Sequence, residues 1–161
     1  MEAQKQEPGW ITIIIVPQGE EDQPLPTQGL IRTVKDYLTA RSLTTLAERI
    51  DVIGPRYVPV SVEAEVIPKR IEDAKAVENR VLDSIKLFLH PLRGGADGNG
   101  WEFGRDVYLS EIAAVIQGTE GVDRLRKLIL WQGEQQVQDR VAIQNIDLPS
   151  SGDHDVVAVG S

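Results

Sequence analysis

The sequence predicts an α+β protein: two small strand–helix–strand subdomains followed by a C-terminal β-hairpin arm. Three observations lead there. From Tyr57 to Ile67 apolar residues alternate strictly with polar ones, the period of a half-buried strand. Two segments, 27–41 and 71–89, instead carry apolar residues at helical spacing. Short β-branched runs flank each helix, so the order strand, helix, strand occurs twice. The expected division is a flexible lead over 1–9, a first subdomain over 10–55, a second over 56–132 and the hairpin arm over 133–161.

Each element has its own justification. Trp10 to Val16 is β-branched and reads as a strand buried on both faces. Thr27 is a suitable N-cap for a helix to about Arg41 with Leu30, Ile31, Val34 and Leu38 on one face. Arg49 to Ile53 reads as a second strand, closed by Gly54-Pro55. In the alternating strand Val58, Val60, Val62, Ala64 and Val66 share one face, while Glu63 and Glu65 share the other. Pro59 has no N–H, which predicts an edge or a bulge there. The helix over 71–89 presents Ala74, Val77, Val81, Ile85 and Phe88 and is stopped by Pro91. Ser110 is placed to cap a short helix to about Gln117, with Gly118 at its C-cap. Arg126 to Trp131 reads as a strand, Gln138 to Ile146 as another, and Asp155 to Val159 as a last one after a turn at Ser151-Gly152. The chain beyond Gly133 has little apolar content, so the alternating Val141, Ile143, Val157 and Val159 suggest a docking arm that is mobile in the isolated protein.

Composition excludes several classes of function. There is no cysteine among the 161 residues, so disulfides, thiol catalysis and Cys-ligated zinc are absent. Net charge is −8, and it lies at the ends: residues 1–30 hold five acids and one lysine, residues 131–161 five acids and one arginine. The absence of a basic stripe argues against nucleic-acid binding. The run Ile11 to Val16 is far too short to cross a bilayer, so no membrane insertion is expected.

No catalytic constellation stands out. Asp97-Gly98-Asn99-Gly100 resembles a calcium loop but fails its template, with Gly95 at the first ligand position and Asp106 at the twelfth. The same glycines fail the dinucleotide pattern, because Phe103 occupies the third glycine's place and a helix precedes them. His90 and His154 have no nucleophile at motif spacing. Glu63, Glu65, Glu72 and Asp73 gather carboxylates near one strand–helix junction, but two face outward and two occupy a first helical turn, where acids are stabilising. No enzyme activity, cofactor or metal is therefore expected. The candidates that remain are interface or loop-anchoring side chains: Arg93, Trp101, Phe103, Arg105, Tyr108 and Trp131. Arg93 and Arg105 flank the run, with Asp97, Glu102 and Asp106 available as partners, while Trp and Arg are enriched where interfaces concentrate energy.

The most distinctive stretch is Leu92 to Ile112, in which Gly94, Gly95, Gly98, Gly100 and Gly104 surround Trp101 and Phe103. With the helix before it and the short helix after it, the run resembles the C-terminal part of the baseplate J-like proteins, wedge components of contractile phage tails and related injection machines. The segment Pro55 to Val66 is similar to the family's strand after a "P-x-Y-V" opening, Phe88 to Gly95 to its "FL-P-GG" turn, and Leu148 to His154 to its closing hairpin. The resemblance spans Trp10 to Val159, and the order of the pieces makes it specific. Full-length relatives carry a substantial region ahead of this part, which implies a short or split version or a piece of a longer protein.

The resemblance implies a structural subunit that forms a ring of self-copies around the tail tube. It also implies contacts with other wedge subunits and tail-tube-proximal proteins, and assembly in the cytoplasm into a virion or injection particle. Two alternatives stay open on the residues alone. One is a small-molecule-binding or regulatory module whose glycine-rich loop closes over a ligand. The other is a hydrolase using the junction carboxylates.

Overall fold

In a computed structural model, residues 9–160 are described. The lead expected over 1–9 lies, but for Gly9, outside the described residues. The fold is α+β, and the chain divides into two compact units, Met1–Glu20 with Pro24–Pro55, and Glu21–Gln23 with Arg56–Ser161.

The first unit contains β1 (Ile11–Ile14), α1 (Gln28–Thr39), α2 (Thr44–Ala47) and β2 (Ile50–Ile53). β1 and β2 form a parallel pair from Ile11↔Ile50 to Ile14↔Ile53, and α1 packs on β2. Thr27 caps α1, its hydroxyl accepting from the Leu30 N–H at 3.2 Å. The unit's core is small, centred on Ile50 and Val52. The expectation that Trp10 to Val16 is buried on both faces fails: Trp10 is 49% and Ile11 42% exposed. A β-branched run marks a strand, but burial of both faces needs layers on both sides, and this sheet has only two strands.

The second unit is built on β3 (Arg56–Pro68), a 3-10 turn at Ile71–Asp73 and α3 (Ala74–Leu89). These are followed by β4 (Val107–Tyr108), α4 (Leu109–Gln117), β5 (Val122–Gln132), β6 (Gln135–Val137), β7 (Arg140–Val141) and β8 (Asp147–Ala158). Its main sheet has the order β6-β5-β3-β8, and β4 pairs with β7 beside it. β3 runs antiparallel to β5 and parallel to β8. Val60, Val62, Ala64 and Val66 on β3 are essentially inaccessible, as are Val77, Val81, Ile85 and Leu89 on α3, and Ile112 and Ile116 on α4. The helical period of α3 and the twofold period of β3 therefore meet in one core. On the opposite face of β3, Glu63 pairs with Lys127 at 2.6 Å and Glu65 with Arg126 at 3.8 Å, while Glu72 and Asp73 flank the start of α3 near Arg70. The junction carboxylates are thus engaged with cations rather than facing one another.

Three local expectations are corrected and one is met. Pro59 stands at an edge: it precedes the first β5 pair, Val60↔Gln132, so that side of β3 is open there, and a register shift against β8 follows between Val60 and Val62. The cap of α4 is Tyr108, with Ser110 already inside the helix. The strand expected over Gln138 to Ile146 shrinks to the two residues of β7. The hairpin arm does not form: β8 is one continuous strand of 12 residues, paired with β3 from Arg56↔Asp147 to Val66↔Ala158.

Val141, Ile143, Leu148 and Val156 are core residues, so the segment after Gly133 belongs to the second unit. The cause of that error is Gly152. It lies inside β8 at the register shift opposite Val60 and Val62, and a Cβ there would meet Ser61 Oγ at 2.5 Å and the Val60 carbonyl oxygen at 3.0 Å. The glycine is there for close approach at a bulge, which in sequence looks the same as a turn.

Candidate functional site

The glycine-rich loop joins α3 to β4 and is tied to the end of α3 by its backbone. Gly94 N–H donates to the His90 carbonyl at 2.8 Å, Gly95 N–H to the Phe88 carbonyl at 2.9 Å, and Trp101 N–H to the Pro91 carbonyl at 2.8 Å. Gly94 is required by space: a Cβ would stand 2.0 Å from the Phe88 carbonyl oxygen. Gly104 is required by both conformation and space, with φ +76° and a virtual Cβ 2.9 Å from Asn145 Cα.

Trp101 fills the loop's interior at 7% exposure. Its Nε1–H donates to the Phe88 carbonyl at 2.8 Å, and its ring meets Phe88 edge-on, centroids 5.3 Å apart at 80°. The Arg105 guanidinium lies 4.9 Å from the centroid of the Trp101 ring. Arg105 also forms a two-pronged pair with Glu111, at 2.6 and 3.4 Å, and this hydrogen bonding holds the guanidinium pKa above its usual value. Glu111 in turn accepts from the Tyr108 N–H at 3.2 Å, capping α4. A chain of contacts thus runs from the end of α3 through Trp101 and Arg105 to the start of α4. Beside it Asp106 accepts from the Ile143 N–H at 2.9 Å and pairs with Arg140 at 3.0 Å. Gly104 N–H donates to the Asp147 carbonyl at 3.1 Å, and Arg56 Nε meets the Asp147 carboxylate at 2.9 Å. The loop is in this way fastened to the start of β8.

Trp101, Arg105 and Tyr108 come together in this chain. Phe103 projects from the same loop, 42% exposed, and Tyr108 is 40% exposed. Arg93 is exposed and lines an open groove of about 350 Å³ with Leu87, Phe88, Ala114 and Val115. Trp131 lies elsewhere, on β5 opposite Ser61 and Gln136. Arg105 pairs with none of the acids expected for it but with Glu111 on α4. That residue was missed, although its place three residues after the helix N-cap is a capping-box signal. Asp106–Arg140 gave no signal at all, because its partners are far apart in sequence.

A second open cleft of about 300 Å³ is lined by Asp97, Asn99, Trp101, Glu102 and Arg105. The face of Trp101 is covered by Arg105, so the ring offers no stacking platform to this cleft. Among the described residues no group of three or more His, Asp or Glu side chains could hold a metal ion, and no helix is long and apolar enough to cross a membrane.

His154 and Ser151 touch, Nε2 to Oγ at 2.8 Å, but not as base and nucleophile. His154 Nδ1 accepts from the Val62 N–H at 3.2 Å, so the neutral ring carries its proton on Nε2 and donates to Ser151. A general base would need Nε2 free to accept.

The second unit is thus a sheet backed by two helices and closed by a braced, aromatic-anchored loop. The fold of this chain also occurs in a chain of the anti-feeding prophage (AFP) baseplate, solved by cryo-EM with sixfold symmetrisation. The two agree with a TM-score of 0.68 at 14% identity over 92% of this chain, which spans 30% of the length of that chain. At that identity the likeness is one of fold. No protein-family model matches the sequence, and no curated protein matches it.

Proposed function

We propose that this chain is a structural subunit of the baseplate of a contractile tail or injection machine, acting by forming interfaces rather than by breaking bonds. The observation that carries the reading is the fold shared with the anti-feeding prophage baseplate chain over 92% of the present chain. The finer reading is a wedge component of the baseplate J-like type. Copies form a ring around the tail tube and contact other wedge subunits and tail-tube-proximal proteins, and the protein assembles in the cytoplasm before becoming part of the particle. The glycine-rich loop suits that task. Its interior contacts fix it between α3 and α4, so the exposed Phe103 and Tyr108 are presented from a stiff support.

The test is association with a particle. The tagged chain, produced together with the rest of the machine, is expected to sediment with assembled particles and to account for density in the baseplate. A chain that stays at monomer size while complete baseplates form without it overturns the reading. A melting temperature raised by a small ligand in the isolated chain would favour the ligand-binding alternative instead.

A further inference from the structure

The outer strand of the main sheet is attached by unusual means at two points. Among the described residues β8 pairs with β3 alone and has no strand on its other side. At the bulge opposite Val60 and Val62, the ladder is completed by side chains. The Val62 N–H donates to His154 Nδ1 at 3.2 Å, the Asp153 N–H donates to Ser61 Oγ at 3.1 Å, and His154 Nε2 meets Ser151 Oγ at 2.8 Å. At the far end the Ala158 N–H donates to Glu78 Oε1 at 2.9 Å, a carboxylate reaching over from α3. Protonation removes one of these acceptors and weakens another. A protonated His154 would present Nδ1–H to the Val62 N–H, two donors face to face. A protonated Glu78 is a weaker acceptor and loses its charge-assisted bond.

We propose that His154 and Glu78 are proton-sensitive pins, and that acid releases β8 from β3 ahead of the rest of the sheet.

The surroundings of both groups favour this. His154 is largely buried, and burial is the main reason its pKa is lowered to about 4. Lys86, on α3, disfavours its charged form further; Asp22, in the loop before α1, and Asp153, on β8, oppose that. β3 offers it only a backbone N–H, because Glu63 and Glu65 face the other side of the sheet. Glu78 is held below the usual carboxylate range by the Ala158 N–H first and then by Lys75, 3.0 Å away on the same helix. Both folded-state pKa values are depressed. The stabilisation is therefore complete above the unfolded values and is lost as pH falls, from 6.5 downward for His154 and below 4.5 for Glu78. Release would bare the hydrogen-bonding edge of β3, an edge of the kind that accepts an added strand.

Amide hydrogen exchange read by NMR from pH 7 to about pH 3 tests the proposal, with the amides of α3 as internal reference. By pH 4 the amides of residues 155–159 should have lost protection by roughly a hundredfold relative to α3, most of the linkage of the His154 shift. His154→Asn and Glu78→Gln each keep an acceptor oxygen but cannot titrate. The first should flatten the loss between pH 6.5 and 4, and the second the loss below pH 4.5. If β8 and α3 lose protection in step, or if β8 stays protected at pH 4, the proposal is wrong. It is also wrong if the variants show the wild-type pH dependence. Should His154→Asn fail to fold, the ring titration of the native protein decides. A ring pKa near 6.5 with no accompanying change in β8 overturns the proposal, and one near 4 that tracks β8 exchange supports it.

Discussion

Trp101→Ala is the sharpest test of the loop's architecture. The indole is 7% exposed, packs edge-on against Phe88, lies under the Arg105 guanidinium and donates from Nε1 to the Phe88 carbonyl. Truncating a buried tryptophan costs about 3–5 kcal/mol, a figure that already includes the cavity left behind. The loop cannot collapse to fill the gap easily, because Gly94 and Gly104 hold its backbone against Phe88, His90 and Asn145. The cost should therefore sit near ~4 kcal/mol, a large share of the ~5–15 kcal/mol that holds a domain together.

Trp101→Phe separates burial from hydrogen bonding. It keeps a ring and removes the N–H, and the Phe88 carbonyl still accepts from the Gly95 N–H, so no acceptor is left empty. Its cost should stay near ~1–2 kcal/mol. Urea denaturation followed by far-ultraviolet circular dichroism measures both without relying on tryptophan emission. An alanine variant within a few tenths of a kcal/mol of wild type would refute the anchor. Equal losses for the two variants would show that the N–H bond, rather than ring burial, secures the loop.

Other outcomes follow from the same geometry. Gly94→Ala should be severely destabilising or prevent folding, since its Cβ would overlap backbone oxygen at 2.0 Å, whereas Gly98→Ala, with φ +68° but nothing within 4 Å, should cost only ~1 kcal/mol; comparing their urea midpoints checks this. A double-mutant cycle on Arg105 and Glu111, their side chains 37% and 21% exposed, should give a coupling of ~1 kcal/mol that shrinks in high salt; zero coupling would remove the pair from the brace. Leu148→Ala, at a position 2% exposed on β8, should cost ~2–5 kcal/mol by the same denaturation, while a near-zero effect would restore the docking-arm picture.

Local patterning carried far in this chain. The periods of α1, α3 and β3 are properties of contiguous residues, and each repeats every two to four positions. The segments that show those periods became the helices and the longest strand. Thr27 as a cap and the glycine cluster around Trp101 are equally local signals, and the structure uses both. Within the site, Trp101 and Arg105 could be picked out because large aromatic and cationic groups among glycines are conspicuous in any register. Which acid would pair with Arg105 was not legible from charge alone. Four carboxylates lie within reach along the chain, and only the direction of α4 brings Glu111 to it.

The tertiary structure alone decided the fate of the C-terminal segment. Parallel pairing joins β8 to a strand about ninety residues earlier, from Arg56↔Asp147 to Val66↔Ala158, and no nearby residue records that partner. The few apolar side chains of the segment look like too little to make a core, yet the core they enter is supplied mostly by β3 and α3. Gly152 has one identity in the sequence and two possible meanings, turn or bulge, and the choice falls to the neighbouring strand it must approach. The sequence by itself therefore determined the periods, the Thr27 cap and the aromatic anchor, because those energies arise between neighbours along the chain. Strand order, the attachment of β8 and the pairing of Arg105 and Asp106 were decided by the fold, because those energies exist only once distant segments meet.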